Sequence, residues 1–316
     1  MLPPSWPERL RLPILAAPMT DVSGPELVVA ACTNGVIGTF PTHNASTAAV
    51  LDEWLNRIRA GLSAATLTRQ LPGPVGANLI VHHSNSRLHD DIAALIRGGV
   101  ELVIASVGSP KDVVGPLHAG GILVYADVAS MRHVDLAIAA GVDGLVLLTA
   151  GAGGQTGWAN PFAFVRAVRA RYDGTIVLAG GVSDGAGVRA AEVLGADLVY
   201  LGTRFIATEE SLAPMDYKAA LVAAGLDDVT TTSQVSGLAA NVLTQWLDRL
   251  EDDTNAGFAQ EKLLARRHVW AAGHSVAGSN DVLSVTELVD RLERDYLAAA
   301  EHRNPLQVLA NVARRS

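Results

Sequence analysis

The chain has 316 residues, 49% of them hydrophobic by type and 18% charged, with a formal net charge of −8. That is enough material for one large α/β domain plus an excursion, and an acidic chain without a basic block offers nothing to nucleic acid or an anionic membrane. The single cysteine, Cys32, excludes an internal disulfide framework. No uninterrupted run of about 18 apolar residues and no basic-then-apolar leader occurs, so the expected location is the cytoplasm.

Short β-branched or apolar runs follow one another at Pro13–Ala16, Val36–Thr39, Val75–Leu79, Leu102–Ala105, Ile122–Ala126, Gly144–Leu148, Thr175–Ala179 and Leu198–Leu201. Between them lie segments of helical spacing: Glu26–Cys32, Thr47–Ala60, Leu88–Ile96, Val134–Ala140, Ala163–Ala170 and Gly187–Leu194. Near-continuous apolar strands alternating with amphipathic helices signal a parallel sheet buried on both faces, here a TIM (β/α)8 barrel. An internal echo (RGGVELVIA, AAGVDGLVLL, VLGADLVYL) precedes strands four, six and eight, although glycine at these places also suits helix capping alone. The barrel is expected from 1–206 plus about 281–316. The segment of about 207–280 shows helical stretches at Met215–Ala224, Asn241–Leu250 and Gly257–Arg267 and no convincing strand, and predicts a small helical insertion over the barrel mouth. A last amphipathic helix, Ser284–Ala300, returns to the barrel wall, with a loosely held tail after Glu301.

In such a barrel, function gathers at the C-terminal ends of the strands. Strand one ends in Ala16-Ala17-Pro18-Met19, small residues that admit a flat ring, and strand three carries Asn78 in an otherwise apolar run. Strand five ends at Asp127, a candidate carboxylate or a cap for the helix starting near Ser130. Strand six runs into Gly153-Gly154-Gln155, strand seven stops at Gly180-Gly181 and strand eight at Gly202-Thr203. The last two pairs set uncovered backbone N–H groups side by side, the usual way such barrels hold a phosphate. His43, His82, His83 and His274 lie near strand ends or in the insertion, with His43 and His274 the better candidates for a substrate contact. No metal site is expected, because the paired histidines at 82 and 83 lack a ligand at helical spacing. Cys32, on the apolar face of the first helix, reads as a packed thiol.

The motifs AAPM, GAN, GAGGQTG, AGGV and LGTRF, in this order and at these strand ends, resemble the nitronate monooxygenases, formerly called 2-nitropropane dioxygenases. The resemblance covers about the first 210 residues, with a weaker match at Trp270–Gly273. That family shares its fold with flavin-dependent enoyl-acyl-carrier-protein reductases and NADH:quinone reductases. The resemblance implies non-covalent FMN, its ring against Ala17, Pro18 and Met19, and Asn78 bonded to the ring. It places the phosphate at Gly180, Gly181, Gly202 and Thr203, with Gly153 and Gly154 close to the cofactor. It also implies oxidation of nitronates with O2 to a carbonyl compound and nitrite. One departure matters: where the family has a histidine implicated as the base for neutral nitroalkanes, this chain has Gln155, whose amide cannot take a proton near neutral pH.

The alternative on the same fold and FMN site is an NAD(P)H-dependent reductase of enoyl thioesters or quinones. A flavin-binding protein without turnover also stays open. A phosphosugar aldolase would use similar phosphate loops, but Lys111, Lys218 and Lys262 are the only lysines and none stands at a strand end for a Schiff base. The expected partners are a small-molecule substrate with O2 or NAD(P)H, and a homo-oligomer is left open.

Overall fold

Eight parallel strands close into a barrel in the computed structural model, which describes residues 2–65, 71–247 and 268–301. The strands are β1 (Ile14–Ala16), β2 (Ile37–Pro41), β3 (Val75–Ile80), β4 (Leu102–Ser106), β5 (Leu123–Val128), β6 (Gly144–Leu148), β7 (Thr175–Ala179) and β8 (Leu198–Leu201). They pair in chain order, and β1 meets β8 with Ile14 opposite Val199 and Ala16 opposite Leu201, which closes the ring. The helices between them are α1 (Pro25–Thr33), α2 (Ala48–Ala65), α3 (Leu88–Gly98), α4 (Lys111–Ala119), α5 (Met131–Ala140), α6 (Pro161–Arg169) and α7 (Gly185–Leu194). All eight expected strands are present; α4, with Pro116 and Gly115 in its span, is a helix that the spacing did not announce.

Alternation along each strand divides the core in two. Leu15, Ile37, Leu102, Ile104, Tyr125, Val146, Val177 and Leu198 fill the lumen, with Trp6 packed on Tyr125 at a ring separation of 6.5 Å. Their neighbours, among them Ile14, Ala16, Leu79, Val103 and Val124, face the helices instead. Cys32 belongs to this outer layer: it is fully buried, its Sγ donates to the Pro74 carbonyl, and burial pushes the thiol up to about 12. Helices α3, α5 and α7 end at Gly99, Gly141 and Gly195 with φ of 70°, 82° and 107°. The echoed glycines are therefore left-handed C-caps, where a side chain would be strained.

Beyond β8 come the short helix α8 (Thr203–Ile206), α9 (Met215–Ala223), strands β9 (Val229–Thr232) and β10 (Ala240–Leu243), and α10 (Thr244–Leu247). The expectation of a purely helical 207–280 segment is corrected here. Val229–Thr232 and Ala240–Leu243 pair antiparallel, and Ala240 and Asn241 pair in turn with Gln155 and Gly154. Of the stretch expected to be helical at Asn241–Leu250, Asn241–Leu243 is strand, because a short apolar run looks alike in either state and pairing to the barrel loop decides it, while Thr244–Leu247 is helical and 248–250 lie outside the described residues. The stretch expected at Gly257–Arg267 and the tail after Glu301 lie outside the described residues. The insertion has its own apolar cluster, with Tyr217, Leu221, Val242, Trp246, Trp270 and Val276. The last helix, α11 (Val285–Ala300), starts at Ser284, whose hydroxyl and Glu287 form a capping box, and packs on α7 and α1. Among the described residues, no helix is long and apolar enough to cross a membrane.

Candidate active site

A cleft of about 1390 Å³, open solvent at its mouth included, sits over the C-terminal ends of the strands. Lining it are Ala17, Pro18 and Met19 after β1, Asn78 on β3, Gly153, Gly154 and Gln155 after β6, Gly180 and Gly181 after β7, and Gly202 and Thr203 after β8. The strand ends singled out from sequence thus meet in one space.

The β1 end is tied down by groups that the sequence reading missed. Met19 N–H donates to Ser23 Oγ at 3.0 Å, Ser23 Oγ donates to the Ala17 carbonyl, and Asn44 Nδ2 donates to the Met19 and Ser23 carbonyls at 2.9 Å. An asparagine and a serine in a loop carry no signal by themselves, since their partners are brought in by the barrel. On the floor, Asn78 Nδ2 donates to the Ile104 carbonyl at 3.1 Å and its Oδ1 accepts from Ser106 Oγ. The amide is thereby fixed in orientation, with its second N–H left for the cleft.

At the ends of β7 and β8, the backbone N–H groups of Gly180, Gly181, Gly202 and Thr203 go to no backbone carbonyl among the described residues. Gly181 has φ +75°, and a Cβ there would point into open space. Gly180 has φ +123°, but a Cβ on it would come within 2.5 Å of Thr149 Oγ1, so this glycine also serves packing. Gly202 has an ordinary φ of −102°, and a Cβ there would stand 3.6 Å from Ala17 Cβ and Met19 Sδ. Thr203 Oγ1 accepts from Gly273 N–H at 3.0 Å, which ties the cradle to the Trp270–Gly273 strap.

The loop after β6 is built differently. A Cβ on Gly153 would lie 2.7 Å from Gly273 N, and one on Gly151 would lie 2.7 Å from the His274 ring. Asn241 Nδ2 donates to the Ala152 carbonyl at 2.8 Å, and β10 holds Gln155 by its backbone. These glycines let the insertion close on the barrel, although Gly153 and Gly154 do also face the cleft.

His43 is buried in the cleft wall, its Nε2 at 2.9 Å from Thr20 Oγ1. His274 is a correction: its backbone N–H bonds the Gly151 carbonyl and its ring is exposed outside the cleft lining. In the motif AAGH, Ala272 and Gly273 are buried and the histidine is turned out. His82 and His83 pack on each other at 4.0 Å, also outside the lining, whereas His268, unremarked in the sequence, stands at the mouth beside Asp21. Asp127 lines the floor and does not cap α5; Ser130 does, accepting from His133 N–H. Tyr217, stacked on Trp270 at 5.5 Å, closes the outer wall; burial raises its phenol well above the ordinary range.

A closed barrel whose strand ends converge on a cleft with N–H donors uncommitted among the described residues has the arrangement of a barrel enzyme's active site. The model of the family described as nitronate monooxygenase matches residues 82–295, and the chain belongs to that family. A (3aS,4S,5R,7aS)-5-hydroxy-7a-methyl-1-oxo-octahydro-1H-indene-4-carboxyl-CoA dehydrogenase of Rhodococcus jostii is 30% identical over 77% of this chain and 66% of its own length. A nitronate monooxygenase of Paraburkholderia phytofirmans is 27% identical over 92% of this chain and 93% of its own. The solved nitroalkane oxidase of Streptomyces ansochromogenes superposes with a TM-score of 0.81 at 22% identity, covering 92% of this chain and 97% of that one. FabK of Thermotoga maritima gives 0.77 at 24% identity, covering 93% and 95%. These two structures share the fold.

Proposed function

We propose that the cleft binds FMN and that the enzyme oxidises nitronates, the anions of nitroalkanes, with O2 to a carbonyl compound and nitrite. The observation that carries this reading is the set of uncommitted N–H groups at Gly180, Gly181, Gly202 and Thr203, where Gly181 leaves open space toward the cleft. A dianionic phosphate fits such a cradle, since no lysine or arginine lines the cleft among the described residues and backbone dipoles are what remains to hold it. Ala17, Pro18, Met19 and Asn78 would flank the ring. When bound, FMN supplies the electron transfer between substrate and oxygen.

The chain's own residues decide what enters. Gln155 is held at the cleft by its pairing to Ala240, and its amide can donate to the oxygens of a nitro group and cannot remove a proton from carbon. A nitronate arrives already deprotonated, so it needs orientation alone. Val235, Val242, Ile206 and Tyr217 supply an apolar outer wall that sheds water from the substrate.

A second reading, NAD(P)H-dependent reduction of an enoyl thioester or quinone, draws support from the missing base and from the coenzyme A thioester dehydrogenase among the relatives. Anaerobic mixing of the yellow protein with a nitronate and, separately, with NADPH tests the two. Bleaching by the nitronate supports the proposal; bleaching by NADPH alone favours the second reading.

A further inference from the structure

Asp127 is the one carboxylate among the described residues that line the cleft. It stands two residues after Tyr125, which fills the lumen, so strand alternation aims the carboxyl at the lumen mouth. Ser106, on the adjacent strand β4, and Asn78, on β3 beyond it, bond each other and the backbone. Asp127 does not: its Oδ1 is shielded from solvent and meets no hydrogen-bonding group among the described residues. Burial pushes the acid up to about 7, and burial together with the charge of Asp127 pushes the Tyr200 phenol well up. The other titratable groups lining the cleft are His43, Tyr217 and His268. A buried polar atom without a partner in its own protein is costly, and such atoms cluster where a ligand completes them.

We propose that Asp127 is a ligand-binding group that acts in its neutral form: its O–H donates to a ring acceptor, and its carbonyl oxygen accepts from an adjacent ring N–H. The matching ligand is a heterocycle with an amide-type edge. The inference rests on the FMN reading above, because the isoalloxazine carries such an edge on its pyrimidine ring. Once ionised, the carboxylate has no hydrogen to give and repels an acceptor. Affinity for the ring must then fall as pH rises through the titration of Asp127, by about tenfold per pH unit beyond it.

The test is equilibrium binding of riboflavin and FMN to the flavin-stripped full chain from about pH 6 to about pH 9, in wild type and Asp127→Asn. Riboflavin removes the phosphate, whose second ionisation lies near pH 6. The expected result is a riboflavin Kd that rises roughly 100-fold in wild type and stays flat, near the wild-type low-pH value, in Asp127→Asn. If that variant does not fold, infrared spectra of wild type decide. The stretch of a protonated carboxyl must disappear with the same midpoint as riboflavin affinity, and a different midpoint overturns the proposal. Flavin binding that is flat with pH in wild type, or a slope retained in Asp127→Asn, overturns it while the FMN reading stands. No flavin binding by either protein at any pH overturns both.

Discussion

Two glycine-rich strand ends look alike in the sequence and do different things in the fold. After β6, glycine makes room for protein: Gly153 meets the Gly273 backbone and Gly151 meets the His274 ring. At the end of β7, a Cβ on Gly181 would meet nothing among the described residues, and its φ of +75° sets its backbone in a conformation that side chains resist. The first arrangement fastens the insertion to the barrel; the second leaves N–H donors for a ligand. A glycine motif therefore reports close approach, and the structure tells what approaches.

The largest effect expected from breaking this division lies at Gln155. Gln155→His restores a titratable base on a backbone already fixed by β10. Turnover of neutral nitroalkanes should rise by about 10²–10⁴-fold, while nitronate turnover changes little. Steady-state rates with both substrate forms across pH check it; equal gains on both would show that the residue has another role. Next comes Gly153→Val, which drives a side chain into the Gly273 and Ala272 backbone. It should lower stability by roughly 3 kcal/mol, read by denaturant unfolding, and loosen the strap as a consequence.

Gly181→Val makes the opposite trade. Its cost to the fold is backbone strain of about 1–2 kcal/mol, and the backbone shift that relieves this strain turns the N–H groups away from a charged phosphate, which should weaken FMN binding by roughly 10–100-fold. Unchanged FMN affinity in this variant would move the phosphate elsewhere.

What the sequence made legible follows from the same physics. The barrel strands are apolar and buried on both faces, so each announces itself without help from its partners. The strands β9 and β10 do not: Val229–Thr232 is half exposed, Ala240–Leu243 is four residues long, and both exist through pairing with each other and with Gly154–Gln155. The cleft's glycines, Asn78 and Gln155 were readable because strand ends converge in any such barrel. The exposure of His274 is not legible in the motif because its neighbours Ala272 and Gly273 pack inward, and the place of Asp127 in the cleft follows only from the fold, where Ser130 caps α5.

The most gradual effect is one of pH. The folded-state value of Asp127, about 7, lies above the ordinary aspartate value of roughly 3.9. The native state therefore holds a proton that the unfolded chain has released. Its stabilising share is full below about pH 4 and is lost as pH rises toward about 7, by on the order of 1 kcal/mol per pH unit. Unfolding of wild type relative to Asp127→Asn across this range should show that slope, and parallel curves would place the titration elsewhere.

The proposed role of the cradle at Gly180-Gly181 and Gly202-Thr203 is to hold the phosphate of FMN. Chromatography of the flavin released by heating the purified protein tests it most directly. A yellow protein that releases FMN is expected; FAD in the supernatant, or no flavin even after reconstitution, would contradict that role.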